Sequence, residues 1–225
     1  MEPTTHAYND ELELDLYRPG NTTAAPVVIF VHGVSDNAEM KSFGPFGDLP
    51  EPHGRRRRVG GPNFRPDDSS VLRQGMRDLA DVLTFVRGEG QALGLDPGRF
   101  AVVGFSASGP YAIHLACHAR GGPVRALALF YAHLDGYPWV DPKTPPDYRI
   151  RSCAKAAPAT ALVAAAGREE SIPGIRESAE QAPSRVEVLW HPTGRHGFDF
   201  LSQDEESAAI VRRVTDVLVT ALTGP

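Results

Sequence analysis

After a polar opening, Glu11-Leu12-Glu13-Leu14-Asp15-Leu16 alternates polar and apolar side chains. Alternation with a period of two puts every other side chain on one face, so this segment predicts an antiparallel strand with one wet face. Arg18-Pro19-Gly20-Asn21 ends it as a turn. The next segment, Val27-Val28-Ile29-Phe30-Val31, is apolar at every position and mostly β-branched. That is the pattern of a strand buried on both faces of a parallel sheet, and it implies helices on either side.

Between Ser70 and about Gly94, Val71, Leu79, Val82, Leu83 and Val86 recur at helical spacing, with Asp67, Asp68 and Ser69 upstream as possible caps. Leu95-Asp96-Pro97-Gly98 reads as a turn, Phe100 to Val103 as a buried strand, and Ala112 to Ala116 as part of a helix. Further strands are predicted over Ala126 to Phe130, Thr160 to Ala165 and Arg185 to Trp190, and a terminal amphipathic helix over Glu205 to Leu222. Strands alternating with helices predict an α/β fold with a mostly parallel central sheet and helices on both faces. The stretch from His133 to Arg151, rich in Pro, Asp and aromatics, is too long for a tight turn and predicts a short loop-like lid.

Composition narrows the class without changing this picture. The chain has 225 residues, 41% hydrophobic and 23% charged, which fits one globular domain spanning 1–225 with a sizeable core. A formal charge of -5 gives no pull toward nucleic acid or an anionic membrane. The run Arg55-Arg56-Arg57-Arg58 is a local exception with no interleaved aromatics, and is expected to be a solvated loop. Only Cys117 and Cys153 are present, without CxxC or Cys/His spacing, so free thiols are expected and a structural metal is not. The first residues show no basic-then-apolar leader, and no apolar run reaches bilayer length, which makes a cytoplasmic location the default expectation.

The chemistry concentrates in Gly104-Phe105-Ser106-Ala107-Ser108-Gly109, after a buried strand and before a helix. A nucleophile there sits on a sharp, strained turn, and the residues two before and two after must be small so that strand and helix can approach; Gly104 and Ser108 are small. Ser106 is thus the candidate nucleophile. The frame with Ser108 as nucleophile would put Pro110 at a small position, whereas Pro110 suits the first helical turn. A serine hydroxyl needs a base, and among eight histidines His196 lies in a loop between the last strand and the terminal helix. His191, at the strand end before Pro192, reads as structural, as do His32, His114 and His118. The base needs a carboxylate, and Glu169 and Glu170 follow the strand Leu162 to Ala166 and the turn at Gly167; counting from Gly167 favours Glu170. The oxyanion donors would be the amides of Ala107 and Val34, with Gly33 letting the backbone turn toward substrate.

Phe30-Val31-His32-Gly33, Pro62-Asn63-Phe64-Arg65, Leu95 to Arg99, Gly104 to Gly109, Gly167-Arg168-Glu169 and His196-Gly197-Phe198-Asp199 together span most of the chain. In these segments the chain resembles the dienelactone hydrolase-like branch of the α/β-hydrolases. The resemblance implies an α/β-hydrolase fold and a cofactor-free hydrolase of small carboxylic esters or lactones, working through an acyl-enzyme. It also implies a triad of Ser106, His196 and the acid directly after Gly-Arg, Glu169. The branch's namesake uses cysteine where this chain has serine, so dienelactone itself is not the expected substrate. Arg57-Arg58-Val59-Gly60-Gly61 is charged and glycine-rich where the resemblance calls for a buried strand, so a short or irregular strand is expected there. Tyr137, Trp139 and Tyr148 are read equally as lining the mouth of a site for short-acyl substrates or as packing that loop onto the sheet edge. No metal, nucleic acid or membrane partner is expected, and a homodimer is left open. The competing readings are a catalytically silent hydrolase-fold binding or regulatory protein, and an acyltransferase or peptidase using the same triad.

Overall fold

The computed structural model describes residues 3–10, 12–17, 23–33, 55–59, 69–118, 124–136, 149–151, 160–168, 172, 174–182, 186–202 and 204–224. Its strands are β1 (Thr4–Ala7), β2 (Glu13–Tyr17), β3 (Ala25–Val31), β4 (Arg55–Val59), β5 (Leu95–Phe105), β6 (Ala126–Phe130), β7 (Thr160–Ala166) and β8 (Val186–His191). Its helices are α1 (Ser69–Glu89), α2 (Gly109–His118), α3 (Ile175–Glu180), α4 (Phe198–Leu201) and α5 (Glu205–Thr223). The strands form one sheet in the order β1-β2-β4-β3-β5-β6-β7-β8. β1 and β2 are antiparallel to their neighbours, and every pairing from β4 to β8 is parallel.

The all-apolar run in β3 is buried on both faces, as its pattern predicts. Val27, Ile29 and Val31 join one core with Leu79, Val82, Leu83 and Val86 of α1 and Tyr111 and Ile113 of α2. Val28 and Phe30 join a second core on the other face, with Ala101 and Val103 of β5 and Ile210, Val214 and Leu218 of α5. Each helix thus covers one side of the sheet with a stripe at i, i+3, i+4 spacing. The strand order reverses at β3, which has β4 on one side and β5 on the other. The carboxyl ends of the strands at such a reversal are the usual ligand position in open parallel sheets. Val31 pairs with Gly104, so Gly33 and Ser106 leave the sheet side by side.

The structure corrects several expectations. Arg55–Val59 is not the loop expected from the arginine run but a short strand, as the resemblance implied, paired with β2 on one side and β3 on the other. Ladder hydrogen bonds come from the backbone and do not depend on side-chain polarity. Helix α1 stops at Glu89 instead of running to Gly94, where φ is +66°, a value suited to glycine. Leu95 already pairs with Ala25, and the expected turn at Asp96-Pro97-Gly98 is an irregularity inside β5 before Phe100 pairs with Val27. The Asp96 carboxylate accepts the Gly98 amide at 2.8 Å and the Arg99 guanidinium at 2.6 Å. Cys117 on α2 is disulfide-bonded and not a free thiol. The chain's other cysteine, Cys153, lies outside the described residues. Spacing along the chain carries no signal for a pairing that the tertiary fold creates. No helix among the described residues is long and apolar enough to cross a membrane.

Candidate active site

Ser106 follows the last residue of β5 with φ at +52°, in the left-handed region that a side chain with a Cβ rarely adopts. A single 3-10 turn, Ser106–Ser108, then leads into α2. Such strain persists only where the surroundings over-determine it, and here three contacts do so. A Cβ on Gly104 would come within 2.7 Å of the Ala112 Cβ, so helix and strand are as close as glycine permits. A Cβ on Gly109 would collide with the His133 carbonyl. The Ser106 carbonyl accepts the His133 amide at 3.0 Å, tying the turn to the segment leaving β6.

Ser108 does more than stay small. Its buried hydroxyl accepts the Phe105 amide at 2.7 Å and lies 2.6 Å from the Val31 carbonyl and 2.9 Å from that of Phe105. One side chain therefore joins the ends of β3 and β5 beneath Ser106. Above it, a Cβ on Gly33 would sit 2.8 Å from the Ser106 Cβ and 3.4 Å from its Oγ, so only glycine fits there. The His32 ring Nδ1 lies 2.7 Å from the Gly33 carbonyl.

His196 reaches this serine from far along the chain, its Nε2 2.9 Å from the Ser106 Oγ. The loop that carries it is anchored by His191, which is 1% exposed. The His191 Nδ1 accepts the Thr193 amide at 3.3 Å, leaving the proton on Nε2, which lies 2.9 Å from the Ser207 Oγ and 3.1 Å from Asp204 Oδ1. Asp204 in turn caps α5 by accepting the Ser207 amide at 2.7 Å, and that bond, first among several, holds its carboxyl below the usual range. Gly194 presses on the His191 ring, where a Cβ would meet Cγ at 2.5 Å. The structural role expected of His191 is thus explicit. From the neighbouring strand, the Arg168 amide donates to the Gly194 carbonyl at 2.9 Å, so the chain leaving β7 runs against the histidine loop.

Of the residues singled out from the sequence, the structure brings together Ser106, His196 and Gly33, with Ala107 buried in the turn after Ser106. Val34, Glu169, Glu170, Tyr137, Trp139 and Tyr148 lie outside the described residues. Two residues to which the sequence reading assigned no role stand beside His196. Tyr131, buried just after β6 with φ at +36°, has its ring centroid 4.5 Å from that of His196. Its hydroxyl donates to Asp199 Oδ1 at 2.7 Å. Burial pushes the Asp199 carboxyl up to about 6, against the opposing pull of the Tyr131 hydroxyl, the first amides of α4 and the charge of His196. A partial signal existed, because Asp199 closes the run His196-Gly197-Phe198-Asp199. Among the described residues, no group of three or more His, Cys, Asp or Glu side chains could hold a metal ion.

No protein-family model matches the sequence, and no curated protein matches it. Solved structures do. A bacterial heroin esterase superposes with a TM-score of 0.76 at 19% identity, covering 100% of this chain and 84% of that one. A thermostable esterase from Pseudomonas putida ECU1011 gives 0.75 at 16% identity, covering 100% and 83%. Esterase Est2 of the planctomycete Thermogutta terrifontis gives 0.72 at 16% identity, covering 98% and 92%. At such identities the likeness speaks to architecture, and together with the reversing parallel sheet and the turn at Ser106 it establishes the α/β-hydrolase fold.

Proposed function

We propose that this chain is a serine hydrolase of small carboxylic esters or lactones, of the dienelactone hydrolase-like kind, acting through Ser106, His196 and an acid, Glu169. The observation that carries this reading is the 2.9 Å contact between the His196 Nε2 and a Ser106 Oγ raised on a left-handed turn at the carboxyl end of a parallel strand. In the mechanism, His196 takes the Ser106 proton as Oγ attacks the ester carbonyl. The amides of Ala107 and Val34 receive the oxyanion. Collapse expels the alcohol with a proton from His196, and water activated by the same imidazole releases the acid from the acyl-enzyme.

Several contacts support the supporting roles. The Arg168–Gly194 bond brings the chain leading into Glu169 alongside the histidine loop. The His32 ring holds the Gly33 carbonyl, which is next in the chain to the amide proposed as the second oxyanion donor. A short-acyl preference is supported by the neighbouring Thermogutta esterase 2, which has a propionate-bound structure and structures phosphorylated by paraoxon and phosphoramylated by tabun.

The test is hydrolysis of p-nitrophenyl acetate, butyrate and octanoate, a lactone and an aminoacyl amide by the parent, Ser106→Ala and His196→Ala. The reading expects turnover of the short esters, and loss of at least about a thousandfold in either variant. A parent that turns over the amide better than any ester would make it a peptidase, and inactivity on every substrate would favour a binding protein.

A further inference from the structure

The geometry points to Asp199, held by Tyr131, as a positioning carboxylate for His196, distinct from the acid of the triad. This rests on the esterase reading above and assigns a role within it to residues outside the serine–histidine–acid set. Asp199 is 8% exposed and Tyr131 3% exposed. Tyr131 makes two contacts at once: its ring packs on the His196 ring at 4.5 Å, and its hydroxyl bonds Asp199 Oδ1 at 2.7 Å. Its own backbone is pinned in a left-handed conformation, with its amide bonded to the Ala164 carbonyl at 2.9 Å. Four elements thus meet here: β6, β7, the histidine loop and α4.

The other oxygen, Asp199 Oδ2, is buried with no hydrogen bond of good geometry among the described residues, the first amides of α4 only standing near the carboxyl. Burying a carboxylate oxygen unpaired is costly, and the cost argues for a purpose other than folding. Among the described residues, the titratable groups on the surrounding elements include Tyr131 after β6, Arg168 after β7, Arg195 and His196 in the preceding loop, His191 at the end of β8 and Asp204 before α5. Of these, the Tyr131 hydroxyl and the charge of His196 are felt by Asp199. His191 turns its Nε2 to Asp204 and Ser207 instead. The charge Asp199 faces is therefore the one that appears on His196 when Ser106 gives up its proton. An ionised Asp199 favours that imidazolium; a protonated one does not. Tyr131 keeps the carboxyl ionised to lower pH and fixes the ring against which His196 stands.

The experiment is the pH dependence of kcat/KM for p-nitrophenyl acetate, from pH 4.5 to 9 in the assay, for the parent, Asp199→Asn and Tyr131→Phe. Each protein is also titrated with a fluorophosphonate to count competent Ser106. The parent should show an inflection near pH 6 on its acid limb. In Asp199→Asn that inflection should vanish, leaving an acid limb set by the general base alone, with kcat/KM at pH 8 down roughly tenfold. In Tyr131→Phe, which keeps the ring but loses the hydroxyl, the inflection should move to higher pH. A merely structural role would lower the count of competent Ser106 and leave the profile's shape unchanged. Superimposable profiles in all three proteins would overturn the inference while leaving the esterase reading intact. Should Asp199→Asn not fold, an unmoved inflection in Tyr131→Phe overturns it alone. A parent that neither hydrolyses nor labels would sink the esterase reading, and this inference with it.

Discussion

The turn at Ser106 and the loop at His196 meet at a single 2.9 Å contact, yet they are built by opposite means. The turn is a backbone device. Its φ of +52°, the missing side chains at Gly33, Gly104 and Gly109, and the bonds around Ser108 allow one conformation. The loop is a side-chain device, folded around the His191 ring, capped by α5 through Asp204 and Ser207, and braced by Tyr131 and Asp199. Backbone devices demand particular small residues at fixed spacing. Side-chain devices can be assembled from partners anywhere in the chain.

This difference yields ordered predictions. The largest effect should come from Gly109→Ala, whose Cβ meets the backbone carbonyl of His133 and cannot be relieved by a rotamer change. A loss on the order of 3 kcal/mol or more is expected, read as the urea midpoint of unfolding. A loss under about 1 kcal/mol would mean the turn is less constrained than its geometry states.

Next comes His191→Ala, which leaves a cavity behind Gly194 and unpairs the Thr193 amide and the Ser207 hydroxyl. About 2–4 kcal/mol is expected. Hydrolysis should fall further than folded fraction, because His196 loses its anchor, and unchanged kcat would break the distinction between the two regions.

Asp199→Asn should have the opposite sign. Its folded carboxyl titrates at about 6, above the roughly 4 of an unfolded chain. The preference for the protonated form thus contributes fully below about pH 4 and is lost as pH rises through 6. Asparagine mimics the neutral form and does not titrate. The variant should match the parent in melting temperature near pH 4 and exceed it at pH 8, by at most roughly 3 kcal/mol in stability. A variant more stable but less active above pH 6 is the mark of a charge kept for function.

The smallest effect should come from Arg213→Ala, remote from both regions. Arg213 binds Glu187 through two nitrogens at 3.0 and 2.7 Å, but the pair is largely exposed. Only a small change, diminishing with added salt, is expected in the same unfolding assay.

The same contrast explains what could be read from the sequence. β3, β6, β7 and the Phe100–Phe105 part of β5 are apolar runs, β8 is largely apolar, and α5 is an amphipathic stripe with its cap in place, so they were legible. β4 was not legible from its own pattern, only from the resemblance, because Arg55-Arg56-Arg57-Arg58 carries no apolar signal and enters the sheet through backbone pairing with β2 and β3. Ser106 and its small neighbours were legible from a strand–turn–helix context, and His196 from its place before α5. The bond from Tyr131 to Asp199 joins residues 68 apart and leaves no local pattern. Ser108 was read only as small, since its two-strand bonding depends on where Val31 ends.

The most direct test of the central claim is peptide mass mapping after incubation with paraoxon at neutral pH. The account predicts one phosphoryl adduct, on the peptide containing Ser106, blocked in Ser106→Ala and slowed in His196→Ala. No adduct on the folded parent, or an adduct on another residue that survives Ser106→Ala, would contradict it.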